Sequence, residues 1–125
     1  MRALLFLALL FAAGSACAEW TAVAATPGGS FYLDYATLRK DGDHRRVMQL
    51  DNQKQRQPEG ELSSIVLAEF DCKGKRSRML ELTNYADPMG QGKVLFRTGK
   101  DLVSPWAPIV AGTAVNLLAG AACAK

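Results

Sequence analysis

The sequence predicts an α+β fold. It has an antiparallel sheet of about six strands, with a C-terminal helix packed on one face and disulfide-linked to it. Three observations carry this. Short β-rich runs recur from Trp20 to Arg97, separated by turns containing glycine or proline. After the N-terminal segment, the alanine- and leucine-rich run with helical spacing comes last, at residues 114–122. Strands first and helix last is the α+β order. Finally, Cys72 ends one strand-like run and Cys123 lies at the end of the helical one.

Residues 1–18 precede the fold. Arg2 supplies a positive start, residues 3–13 are apolar throughout, and Ala16-Cys17-Ala18 has the small residues of a signal-peptide cleavage site. The run is too short to span a bilayer, which needs roughly 20 residues. Cleavage after Ala18 is therefore expected, leaving residues 19–125 as a single domain exported to the periplasm, the outer surface or the medium. Gly14-Ser15-Ala16-Cys17 is also a weak lipobox. Glycine stands where a leucine-like residue is usual, which weighs against lipidation of Cys17. Two cysteines remain after cleavage, and in an oxidising compartment such a pair is expected to bond. Two free buried thiols are the other reading.

Residues 19–25 read as the first strand and Thr26-Pro27-Gly28-Gly29 as a turn. Residues 30–34 form the second strand. Asp34 then suits a helix N-cap, which predicts one helical turn over residues 35–38. Asp41-Gly42-Asp43 is a turn. In the third strand, residues 44–51, Val47 and Gln49 share one face and Met48 and Leu50 the other. Residues 52–61 are a polar loop without an apolar anchor, expected to be mobile. Residues 64–72 are the central strand, with Val66, Ala68, Phe70 and Cys72 on the face that must meet the helix. Lys73-Gly74-Lys75 turns into a fifth strand over residues 76–85. Its parity groups Arg78 with Leu80 and Leu82. Residues 93–97 are a short sixth strand, and residues 98–108 are irregular, with Trp106 between prolines. Thr113 caps the helix, whose apolar side is read as Ala114, Leu117, Leu118 and Ala121.

The formal net charge is +3, one unit lower without Arg2. That is not the balance of a nucleic-acid-binding protein. No second apolar run is long enough to cross a membrane. His44 is the only histidine, no serine sits in a nucleophile elbow, and the carboxylates are scattered. No catalytic residue, metal site or cofactor is expected. The charge cluster that stands out is Lys73, Lys75, Arg76 and Arg78, four cations in six residues without an intervening acid. It is a candidate anion-binding patch for polyanions. The competing reading is a solvated hairpin that keeps sheet edges from pairing. Trp20, Tyr32, Tyr35, Tyr85 and Trp106 are the aromatic candidates for a binding surface, Trp106 foremost.

Several stretches together resemble the surface-adhesin protein E-like family of Gram-negative bacteria. They are Glu19-Trp20, Phe31-Tyr32-Leu33-Asp34, Met48-Gln49-Leu50-Asp51, Glu69-Phe70-Asp71-Cys72, Arg76-Ser77-Arg78, Pro105-Trp106, and Gly112-Thr113 leading to Cys123. Their order and spacing span nearly the whole exported chain. The resemblance implies a small antiparallel sheet with a disulfide-linked C-terminal helix. A member of that family is an exposed lipoprotein adhesin that binds host matrix proteins, with a link to haem and a capacity to dimerise, while many relatives are small exported proteins without an assigned role. The weak lipobox is where this chain departs from the family. The expected function is a non-enzymatic exported binding module of the cell envelope, a monomer or weak homodimer. Its partner would be an extracellular or envelope protein or a polyanion. The alternative is a small periplasmic inhibitor of a hydrolase such as lysozyme, with residues 52–61 as the inserting loop.

Overall fold

The structure, a computed structural model, describes residues 18–125. Of the expected signal peptide only Ala18 is described, and Cys17 lies outside the described residues. Six strands follow one another as a meander: β1 Thr21–Thr26, β2 Gly29–Asp41, β3 His44–Gln53, β4 Ser63–Asp71, β5 Arg76–Asp87 and β6 Gln91–Arg97. Each pairs antiparallel with its neighbour in sequence. A two-residue strand, β7 Ala107–Pro108, pairs with the start of β5, and α1 Ala114–Cys123 closes the chain. The segment read as irregular thus carries one short sheet contact. Among the described residues no helix is long and apolar enough to cross a membrane.

The turns follow from local chemistry. Between β1 and β2 the chain reverses at Pro27-Gly28. Gly29 then opens β2 so close to β3 that a Cβ there would fall into the carbonyl of Asn52. The 3₁₀ turn Pro88–Gly90 folds over Leu50 and Ile65, and Gly90 adopts φ +68° directly against Ile65. Only glycine fits both demands there.

One side of the sheet, here called the helix face, carries the main core. Leu33, Val47, Val66, Ala68 and Phe70 pack there against Leu118, Ala119 and Ala122. Period-2 alternation placed Val66, Ala68 and Phe70 on that face, and the disulfide Cys72–Cys123 ties α1 to it, with the Cα atoms 5.8 Å apart. Thr113 does cap the helix, accepting from the Asn116 N–H at 3.2 Å.

Three expectations are corrected. Residues 35–38 are not a helical turn but a bulge within β2, opposite Val47 alone. Asp34 caps locally, as its chemistry suggests: its carboxylate accepts from the Ala36 N–H at 3.1 Å. The Thr37 hydroxyl donates to the Asp34 carbonyl at 2.7 Å and accepts from the Met48 N–H at 2.9 Å, which returns the chain to the sheet. In β5, Leu80 is an extra residue between the pairs Leu67–Glu81 and Ala68–Met79. The bulge breaks parity, so Arg78 lies on the face opposite Leu82. In α1 the buried side is Leu118, Ala119 and Ala122, and Leu117 is 54% exposed. The disulfide fixes which side of the helix turns inward, and that side carries the alanines that let the helix approach the sheet.

The polar loop after β3 is held by hydrogen bonds where apolar contacts are missing. Gln53 N–H donates to Leu62 O at 2.8 Å, Gln57 N–H to Glu61 O at 2.9 Å, and Arg56 Nη1 to Ala86 O at 2.9 Å.

Candidate functional site

The second face of the sheet, away from α1, concentrates charge. Strand register places Arg46 beside Glu69 and Glu69 beside Arg78, across β3, β4 and β5. One pair further along, His44 sits beside Asp71 and Asp71 beside Arg76. Two cross-strand rows result, each with an acid on the central strand between basic groups. Opposite charges at such positions attract across the pleat.

The geometry is close. Arg46 Nε donates to Glu69 Oε2 at 2.7 Å, and Arg78 Nε donates to Glu69 Oε1 at 2.7 Å. Arg76 Nε donates to Asp71 Oδ2 at 2.9 Å, while the Gly74 N–H donates to Asp71 Oδ1 at 2.9 Å. His44 bridges the rows, with Nδ1 3.9 Å from Glu69 Oε2 and Nε2 3.7 Å from Asp71 Oδ2. Glu69 is only 1% exposed. Burial pushes its carboxyl up, but hydrogen bonds and charge from Arg46 and Arg78 outweigh that and hold its pKa below the usual range. The Gly74 N–H, then Arg76, hold Asp71 low as well. The hydrogen bond and charge of Glu69 in turn raise Arg46.

Trp106 completes the cluster. β7 docks the segment against β5, and the Trp106 ring lies 4.4 Å from the Arg76 guanidinium carbon and 4.2 Å from that of Arg78. His44 meets the same ring edge-on, with centroids 5.5 Å apart. The guanidiniums of Arg76 and Arg78 thus each have a carboxylate and a π-face as partners.

Lys73 and Lys75, the other two members of the expected anion patch, are exposed in the turn beside this cluster, with no ion pair among the described residues. The structure therefore brings all four residues to one end of the sheet. It divides their roles: Arg76 and Arg78 are engaged by acids, and the lysines are not. Sequence reasoning missed Glu69, Asp71 and Arg46 as members. The signal was there, since Glu69-x-Asp71 and Arg76-x-Arg78 alternate with the strand period on either side of one hairpin. No acid stands between the cations along the chain, but two stand beside them across the sheet.

Several concavities flank this architecture. Beside the β2 bulge, Trp20, Asp34, Thr37, Met48 and Ile65 surround a 470 Å³ hollow. On the helix face, a 260 Å³ cleft opens between Val115 and the Ser104–Pro105 stretch, with Gln49 and Asp51 in its wall. Burial raises the Asp51 carboxyl, opposed by a hydrogen bond from Gln49. Among the described residues, no group of three or more histidine, cysteine, aspartate or glutamate side chains is arranged to hold a metal ion.

No curated protein sequence matches the chain significantly. Among solved structures, a crystal form of Haemophilus influenzae protein E matches with a TM-score of 0.57 at 14% identity, covering 82% of this chain and 91% of that one. At that identity the likeness is one of fold. The resemblance read from short motifs is borne out by the model of the surface-adhesin protein E family, which matches residues 20–124. With the sheet and the helix inside that span, the chain belongs to the surface-adhesin protein E family.

Proposed function

We propose that this chain is a non-enzymatic binding module exported to the cell envelope, which engages a polyanionic partner through the Trp106 cluster and the adjacent hairpin lysines. Membership of a surface-adhesin family supports an adhesin-like surface protein. The observation that carries the proposed site is how the arginines are used. Arg46 and Arg76 contact their carboxylates through Nε. Their Nη groups have no hydrogen-bond or ion-pair partner among the described residues, and the side chains are 52% and 44% exposed. Guanidinium groups held this way are pre-oriented for sulfate, phosphate or carboxylate oxygens. Three arginines outnumber two acids in the cluster, and Lys73 and Lys75 add to the excess.

The test is heparin-column elution of the wild type and of a Lys73→Glu/Lys75→Glu variant. The variant elutes at lower salt, because two charges that attract the polyanion are replaced by two that repel it, and less salt is then needed to screen what attraction remains. Elution of both at the same salt sinks the polyanion reading.

The export reading is checked separately. Native protein recovered from cells has an intact mass beginning at Glu19, with the signal peptide over residues 1–18 removed. The family match starting at residue 20 supports this boundary. A mass carrying acyl chains on Cys17 instead makes the protein a membrane-anchored lipoprotein.

A further inference from the structure

The cleft on the helix face stands apart from the charged cluster and has its own chemistry. α1 packs mainly over β1 to β4. Beyond it the face remains open, floored by Val66, Ala68 and Phe70 and walled by Met79 and Val115. Gln49, Asp51, Ser77 and Ser104 are polar groups in its lining, and the Ser104 hydroxyl is already engaged by the Met79 N–H and the Pro105 carbonyl. Gln49 Nε2 donates to Asp51 Oδ1 at 2.7 Å. Asp51 Oδ2 has no hydrogen-bond or ion-pair partner among the described residues. Arg78 borders the cleft, but its guanidinium is engaged by Glu69 on the opposite face. A half-buried carboxylate beside apolar walls, with one oxygen free of protein partners, favours a cation.

We propose that this cleft receives the ammonium head and aliphatic stem of a lysine side chain from a partner polypeptide, with Asp51 as its counter-ion. Size favours a side chain, since 260 Å³ lies below the roughly 300–1,000 Å³ of small-molecule sites. The stem packs along Val66, Ala68 and Val115, as lysine stems do on apolar surface. Lysine suits the site better than arginine. A guanidinium fork seeks both oxygens of a carboxylate, and here it would have to share Oδ1 with Gln49. An ammonium is a point charge that needs only the other.

The proposal is independent of the polyanion reading, which uses the opposite face. The test is an NMR titration of the isotope-labelled protein with Nα-acetyl-lysine N-methylamide, following the Gln49 side-chain amide and the backbone amides of Met79 and Val115. The Nα,Nε-diacetyl derivative, with the same stem and no charge, binds about tenfold more weakly or worse, because it cannot form the charge-assisted bond. Asp51→Asn removes that difference. Val115→Trp, a change at the mouth of the cleft, blocks binding of the charged probe and keeps the test decisive if the aspartate variant does not fold. Equal binding of the two probes, or no shifts with either, overturns the proposal. Tighter binding of n-butylammonium than of the lysine derivative overturns the polypeptide as the source.

Discussion

A Cys123→Ser variant loses about 4 kcal/mol of stability and loosens its helix before its sheet. The bonded cysteines are 51 residues apart, so the link removes much of the freedom of the unfolded chain. Without the link, α1 depends on its own contacts. Its buried residues are Leu118, Ala119 and Ala122, one large side chain and two small ones. A helix of 10 residues is marginal alone in water. β4, by contrast, is paired along its length on both sides. Hydrogen exchange read by mass spectrometry shows faster exchange over 114–123 in the variant, with β4 and β5 still protected. Equal protection of the helix in both proteins shows that packing alone holds it.

Glu69→Gln costs about 2–3 kcal/mol, lowering the melting temperature by roughly 10 °C. The substitution keeps the shape and removes the charge that Arg46 and Arg78 share. Removing one partner of a fully buried pair costs about 3–5 kcal/mol. Here the arginine side chains are 52% and 28% exposed and turn partly to water, which reduces the penalty. The pH dependence identifies the cause. The folded-state pKa of Glu69 is depressed, so its stabilisation is fully present above the unfolded value of about 4.3. It is lost as pH falls through the lower folded value. The wild type therefore loses its advantage over Glu69→Gln below about pH 4. Asp71 acts in the same direction in both proteins. Asp51 has the opposite sign: its raised pKa favours the folded state as pH falls. Thermal melts of both proteins between neutral and acidic pH provide the measurement. A gap that does not narrow in acid shows that lost packing, not lost charge, is the cause.

The strands whose faces differ most were the most legible. Alternation in β3 and β4 sorted Val47, Val66, Ala68 and Phe70 correctly, because a one-residue slip there would expose the core. Bulges were not legible. Asp34 has the chemistry of a helix cap, and the same carboxylate serves an Asx-type turn inside a strand. The extra residue Leu80 carries no mark in the sequence, yet it reverses the face of every residue before it in β5. The charged cluster was half visible. Lys73, Lys75, Arg76 and Arg78 stood out along the chain. Their carboxylate partners Glu69 and Asp71 emerge only once the register of β4 against β5 is fixed, and Trp106 only once β7 docks.

The meander order of the sheet has a kinetic consequence. Each of β1 to β6 finds its partner in the adjacent segment, so short hairpin closures build the main sheet and folding can proceed from the N-terminus. The helix is different: the last element made must return to cover β1 and β2, the first. Until it arrives, Leu33, Val47 and Phe70 present an oily surface on an otherwise assembled sheet. The vulnerable interval in the folding of this sheet is the wait for α1, and the Cys72–Cys123 bond then ties the helix in place.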